Sequence, residues 1–152
     1  MIELPDAQAT QTLGSHLGRA LGQLDAGLVI ALQGKLGVGK TALVRATLAA
    51  LGHDGIVVSP TYTLLESYPL GRRRLHHLDL YRLATAEELE YVGLRDLAAG
   101  DDWFMIEWPA HGRGHLPAFD LTIELHYAGA ARRARLHPYS QLGRTIVDTI
   151  NI

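Results

Sequence analysis

Gly34-Lys35-Leu36-Gly37-Val38-Gly39-Lys40-Thr41 fits G-x-x-x-x-G-K-[ST] at every fixed position. Average glycine usage would produce such a match in a chain of this length about one time in a hundred or less. The residue types suit one chemistry. Glycines let backbone N–H groups turn inward and approach phosphate oxygens with no Cβ in the way. A helix starting at the end of the loop points its positive dipole end at the same oxygens. Lys40 is then expected to reach the β/γ oxygens and the Thr41 hydroxyl to ligate Mg²⁺. The two lysines of the chain, Lys35 and Lys40, both fall in this stretch.

A phosphate loop needs an acid on the magnesium side. Two candidates end apolar runs: Asp79 in His77-Leu78-Asp79-Leu80-Tyr81-Arg82, and Glu107 in Phe104-Met105-Ile106-Glu107-Trp108-Pro109. In an open parallel sheet, ligand groups gather at the carboxyl ends of the strands. Glu107, with a strand-ending proline two residues on, is expected there. Either acid is suited to ordering an attacking water.

The elements that must position these groups can be read from apolar spacing. Leu13, Leu17, Ala20, Leu21 and Leu24 recur at helical period after a capping Asp6. Leu28 to Gln33 reads as a buried strand, and Thr41 to Leu51 as a helix stopped by Gly52. Ile56-Val57-Val58 and Thr63-Leu64-Leu65 read as strand pieces around a Ser59-Pro60-Thr61 turn. Leu75 to Leu80 and Trp103 to Trp108 are further strands. Between them Thr85-Ala86-Glu87-Glu88 has the form of a capping box, opening a short helix through Tyr91. Leu121 to Leu125 alternates apolar and polar, Ala128 to Ala131 reverses, Arg132 to His137 returns antiparallel, and a helix from Ser140 to Ile150 closes the chain. The expected fold is α/β: one domain over residues 1–152, a three-layer phosphate-loop sandwich whose sheet is mostly parallel with an antiparallel C-terminal hairpin edge.

Composition removes several classes. The longest unbroken apolar run, Leu28 to Leu32, is far short of the roughly 20 residues that cross a bilayer. Glu3 and Asp6 stand where a secretory leader would be basic, so a cytoplasmic protein is expected. With no cysteine there is no disulfide, thiolate metal site or cysteine nucleophile. A net charge of −2 argues against a surface that grips nucleic acid all round. Two arginine clusters, Arg72-Arg73-Arg74 and Arg132, Arg133, Arg135, would neutralise several phosphates only if they shared a face; the ordinary reading is solvated turn residues. His76 and His77 point to opposite faces of a strand, and His111 and His115 flank helix-breaking glycines, so all four read as structural. The N-K-x-D guanine signature is absent because the only asparagine is Asn151. A free-standing small-molecule kinase, with Arg72 to Arg74 as its lid, is the alternative enzyme, and a nucleotide-gated binding module without hydrolysis is a third reading.

Five ordered motifs narrow the choice. Leu4-Pro5-Asp6-Ala7-Gln8-Ala9-Thr10, the phosphate loop, Ser59-Pro60-Thr61-Tyr62-Thr63-Leu64, His77 to Arg82, and Glu107-Trp108-Pro109 stand at spacings that resemble the TsaE (YjeE) family, as does the segment from Glu87 to Asp96. The likeness runs from about residue 4 to residue 135. It implies the small ATPase of bacterial tRNA threonylcarbamoyladenosine synthesis, working with TsaD and TsaB, with ATP and Mg²⁺ bound and tRNA the substrate of the complex.

Carried onto this chain, the resemblance puts the phosphates on Gly37, Val38, Gly39, Lys40 and Thr41, with Gly34, Leu36 and Ala42 also binding the nucleotide, and Mg²⁺ on Thr41 and Glu107. It puts Asp79 and the switch-like Thr61 near the γ-phosphate, Thr10 and Arg132 beside the base, and Trp108 beside the site or in the core. Lys35 departs from the family, which usually carries an acid there, and Val38 replaces the usual alanine; Lys35 is expected to add positive charge near the phosphates. No arginine finger is assigned, Arg82 reading as an exposed strand-end charge.

Overall fold

The computed structural model describes residues 1–150; Asn151 and Ile152 lie outside the described residues. Seven strands form one sheet: β1 (Ile2–Leu4), β2 (Leu28–Gln33), β3 (Leu65–Leu70), β4 (Arg73–Asp79), β5 (Trp103–Glu107), β6 (Leu121–Ala128) and β7 (Ala131–Pro138), in the order β1-β7-β6-β2-β5-β4-β3. The helices are α1 (Ala7–Gln23), α2 (Lys40–Ala50), α3 (Glu88–Tyr91), α4 (Leu94–Ala98) and α5 (Gln141–Thr149), with a 3₁₀ turn at Pro109–Gly112.

Strand parity separates two cores. Leu28, Ile30 and Leu32 on β2, Trp103 and Met105 on β5 and Leu75 on β4 turn to the face covered by α1, α2 and α5. Leu78, Phe104 and Ile106 turn the other way, onto Leu89 of α3 and Leu94 of α4. Both faces of the central strands are therefore apolar, which is why they read as continuous hydrophobic runs. Helix ends follow the capping chemistry: the Asp6 side chain accepts from Ala9 N at 2.9 Å, and Ser140 from Gly143 N at 3.0 Å.

The sheet is less parallel than expected. β6-β2-β5-β4 is a parallel centre, but β1–β7, β6–β7 and β3–β4 pair antiparallel, so both edges are antiparallel. Two features produce this. Leu65–Leu70 returns as Arg73–Asp79 through a two-residue loop whose first residue, Gly71, has φ 75°, a turn too short for a parallel crossover. The three-residue β1, not foreseen from so short a run, pairs with β7.

The expected strand pieces Ile56–Val58 and Thr63–Leu65 are instead coil and turn; of these, only Leu65 enters a strand. Leu64 adopts a left-handed φ of 67°, and its carbonyl accepts from Asp79 N at 3.1 Å. Ile56 stays 85% exposed, so this stretch has no core to hold it extended. The capping box at Thr85 also forms differently: the helix starts at Glu88, whose carboxylate reaches back to Ala84 N at 3.0 Å. The one-turn α4 after Gly93 was not foreseen.

Candidate functional site

The carboxyl ends of β2, β5 and β4 are in register, with Glu107 paired to Leu32 on one side and to Asp79 on the other. Chain leaving β2 therefore passes directly over both acids before entering α2. The loop needs its glycines: a Cβ on Gly34 would come within 2.7 Å of the Leu125 carbonyl and of Val38. Gly39, with φ 117°, is the N-cap of α2 and brings no side chain to cap it, so first-turn N–H groups stay free for a ligand.

Lys40, Thr41, Asp79 and Glu107 converge on one cleft of about 410 Å³, lined also by Leu36, Gly37, Gly39, Ala42, Ser59 and Thr61. The Thr41 hydroxyl donates to Glu107 Oε2 at 2.9 Å. Lys40 donates to the Gly34 carbonyl, and its Nζ lies 3.6 Å from the centroid of the Trp108 ring. Asp79 accepts from Tyr81 N at 3.1 Å. Three of these ionisable groups are nearly sequestered: Lys40 is 5%, Asp79 8% and Glu107 2% exposed.

Burial dominates the electrostatics of Lys40 and Asp79. It pulls the Lys40 ammonium below its usual pKa, against the opposing pull of Glu107 and Asp79. It pushes the Asp79 carboxyl above its usual value, helped by the charge of Glu107 and opposed by the Tyr81 N–H, His77 and Lys40.

A second cavity of about 320 Å³ adjoins the first at Gly37, Gly39 and Ala42. Thr10, Val38 and Arg132 line it. The Arg132 guanidinium lies 4.2 Å from the Tyr127 ring. The expected site residues thus gather in two joined cavities, with Gly34 as the exception. Gly34 lines a third cavity, of about 550 Å³, behind the loop, together with Lys35, Glu124 and His126. Lys35 accordingly lines this third cavity and not the acid cleft, and Trp108 borders both.

Trp108, Arg82 and His77 take on more than the sequence leads one to expect of them, and Tyr81, which the sequence does not single out, joins them. Trp108, with φ 57°, gives its ring to Lys40 rather than to the core alone. Arg82 lines the acid cleft, 4.9 Å from the Tyr62 ring. Tyr81 lines it too, 4.9 Å from Trp108. His77, fully buried, holds Glu107 Oε2 at 2.6 Å. The signal for His77 was its parity: two residues before Asp79 on one strand, it must share Asp79's face.

The arginine clusters do not share a face. Arg72–Arg74 sit where β4 begins, and three strands, β5, β2 and β6, separate β4 from β7 across the sheet. Arg73 is paired with Asp25 at 3.3 Å and Asp101 at 2.7 Å, and Arg74 with Asp102 at 3.7 Å, so much of that charge is already answered within the chain.

Among the described residues no cluster of three His, Cys, Asp or Glu side chains could hold a metal ion. Magnesium does not require one: it is held by one or two protein oxygens with phosphates and waters completing its shell. Thr41 Oγ1 and the Glu107 carboxylate fit that pattern.

Residues 4–135 match the family model of the threonylcarbamoyl adenosine biosynthesis protein TsaE. The chain is 38% identical over 150 residues to the tRNA threonylcarbamoyladenosine biosynthesis protein TsaE of Haemophilus influenzae, covering 97% of this chain and 95% of that one. It is 48% identical over 146 residues to the protein of the same name from Nostoc, covering 91% and 86%. The fold is similar to a crystal structure of Bacillus subtilis YdiB, with a TM-score of 0.80 at 23% identity, over 97% of this chain and 90% of that chain. The match over residues 4–135 and these near full-length identities place the chain in the TsaE family.

Proposed function

We propose that this chain is an ATP-hydrolysing component of the tRNA threonylcarbamoyladenosine machinery, acting with TsaD and TsaB in the cytoplasm as a single phosphate-loop domain. The observation that carries the reading is the convergence of Lys40, Thr41, Asp79 and Glu107 under an uncapped helix start. The relatives' names support the process.

In this reading the loop N–H groups from Gly37 to Ala42 hold the phosphates, and Thr10 and Arg132 flank the base. Thr41 and Glu107 bind Mg²⁺; a hydroxyl has one donor and two lone pairs, so Thr41 can donate to Glu107 and still present oxygen to an ion. That ion supplies charge neutralisation at the phosphate oxygens. Asp79 is the better choice for ordering water, because Oε2 of Glu107 already accepts from Thr41 and His77. The water oxygen bonds to the γ-phosphorus, the bond to the β,γ-bridging oxygen breaks, and ADP leaves with that electron pair. Asp79 takes the water proton, a transfer its raised pKa favours. Lys40 must leave Gly34 and Trp108 to reach the phosphates. Thr61, hydrogen-bonded to Ser59 at 2.9 Å on the cleft's rim, reports the nucleotide state to the partners.

The test is multiple-turnover threonylcarbamoylation of tRNA by TsaC, TsaD and TsaB with this chain added, omitted or carrying Lys40→Ala. Cycling that needs the intact chain and ATP supports the reading. No difference between the three would refute it and leave phosphoryl transfer to a small acceptor as the activity to assay.

A further inference from the structure

We infer that His77 is a positioning residue, the fixed donor that holds the Glu107 carboxylate in place for the magnesium side of the bound nucleotide. The inference rests on the proposed nucleotide site and extends it by one residue. His77 lies on β4, flanked by β5 and β3, and is fully buried. Its Nε2–H donates to Glu107 Oε2 at 2.6 Å, and its Nδ1 has no hydrogen-bond partner among the described residues. Glu107 is thus the only hydrogen-bonding group that this ring engages. The next residue shows what a structural histidine looks like here. His76 is also buried, but it uses both ring nitrogens, on Ser67 at 2.7 Å and Asp102 at 2.8 Å, on the face away from the cleft.

Glu107 is 2% exposed, a buried carboxylate without donors is costly, and the two donors it has meet on one oxygen, Oε2. Thr41 supplies one from the start of α2, and the same hydroxyl also has to present oxygen to the ion. His77 supplies the other from an interior strand that need not move. With Oε2 held in this way, Oε1 accepts no hydrogen bond among the described residues and is the oxygen left for the ion. Partners of metal-ligating carboxylates act in this way, by setting ligand orientation.

The experiment compares the full-length chain with His77→Leu, His77→Gln and Glu107→Gln. Mn²⁺ is the probe, its affinity for the protein–ADP complex read by electron paramagnetic resonance. ADP affinity in EDTA, the kcat of ATP hydrolysis and Tm are measured alongside. His77→Leu is expected to weaken Mn²⁺ about tenfold or more and to lower kcat, with metal-free ADP affinity unchanged. His77→Gln, which restores an N–H near the same position, is expected to recover most of both. If His77→Leu binds Mn²⁺ as wild type does while Glu107→Gln does not, the positioning role is overturned and the site reading stands. The role is equally overturned if metal-free ADP affinity falls as far as Mn²⁺ affinity, or if His77→Gln rescues nothing. Glu107→Gln binding Mn²⁺ like wild type would instead remove Glu107 from the ion, and the His77 inference with it.

Discussion

Helices α1 and α2 wall the proposed nucleotide site, α1 carrying Thr10 and α2 beginning at Lys40, and glycines in α1 let the two helices approach closely. A Cβ built on Gly18 would lie 2.6 Å from Ala50 Cβ and 2.6 Å from the Thr47 carbonyl oxygen. Neither neighbour is the end of a flexible side chain, so Gly18→Ala forces the helices apart. Over-packing of this kind costs about 1–3 kcal/mol, against which alanine gains about 1 kcal/mol of helix propensity. With two contacts at 2.6 Å the upper part of that range, about 2–3 kcal/mol, applies, so the expected net loss is about 1–2 kcal/mol, or roughly 2–8 °C in Tm for a chain of this size. Gly22, one turn further along α1, is the internal control. Its Cβ would meet only Leu51 Cδ2 at 3.6 Å, an ordinary contact. Gly22→Ala should therefore stabilise by about 0.5–1 kcal/mol, raising Tm by a few degrees. Differential scanning calorimetry on both variants and wild type decides the matter. Tm shifts of the same sign, or a neutral Gly18→Ala, would refute the argument that helix approach is what these glycines serve.

Asp79→Asn should lower ATP hydrolysis by about 10²–10⁴-fold, the range expected when a general base is lost, measured by phosphate release. The same variant tests the electrostatics. Asp79 is raised above the usual 3.8, so the folded state holds a proton that the unfolded chain has already lost, and stability falls as pH rises through that window. Asp79→Asn should therefore melt higher than wild type near pH 7.5, with the gap closing as pH drops towards 4; a variant less stable at both ends would contradict this. Trp108 fluorescence in a Trp103→Phe background should change when ATP draws Lys40 off the ring, and Lys40→Ala should abolish the change. Arg132→Ala should weaken ADP binding about tenfold, the worth of one charge-assisted contact, while Arg72→Ala, whose 3.9 Å pair with Asp25 is fully solvated, should leave it unchanged in the same titration.

Local chemistry was legible in order along the chain. The phosphate loop declares itself because glycines and a lysine at fixed spacing have one economical use, and the acids at Asp79 and Glu107 because each ends an apolar run. The cap at Asp6, the β6–β7 reversal and the opposite faces of His76 and His77 follow from rules that act within a few residues. What local rules do not reach is pairing across the sheet. That β5 lies between β2 and β4, which brings Glu107 beside Asp79 and under Thr41, depends on strand order, and no residue near Glu107 encodes it. The same holds for His77, ordinary on its own strand and placed against a carboxylate only by β4 and β5 in register. Arg72 to Arg74 invite a phosphate until Asp25, Asp101 and Asp102 fold against them. Residue type and spacing set which chemistry this chain is equipped for, because backbone geometry is local. Which groups meet, how far burial shifts their protons and which charges are already spent were decided by the tertiary fold, because those energies depend on distance and solvent exclusion between segments far apart in the chain.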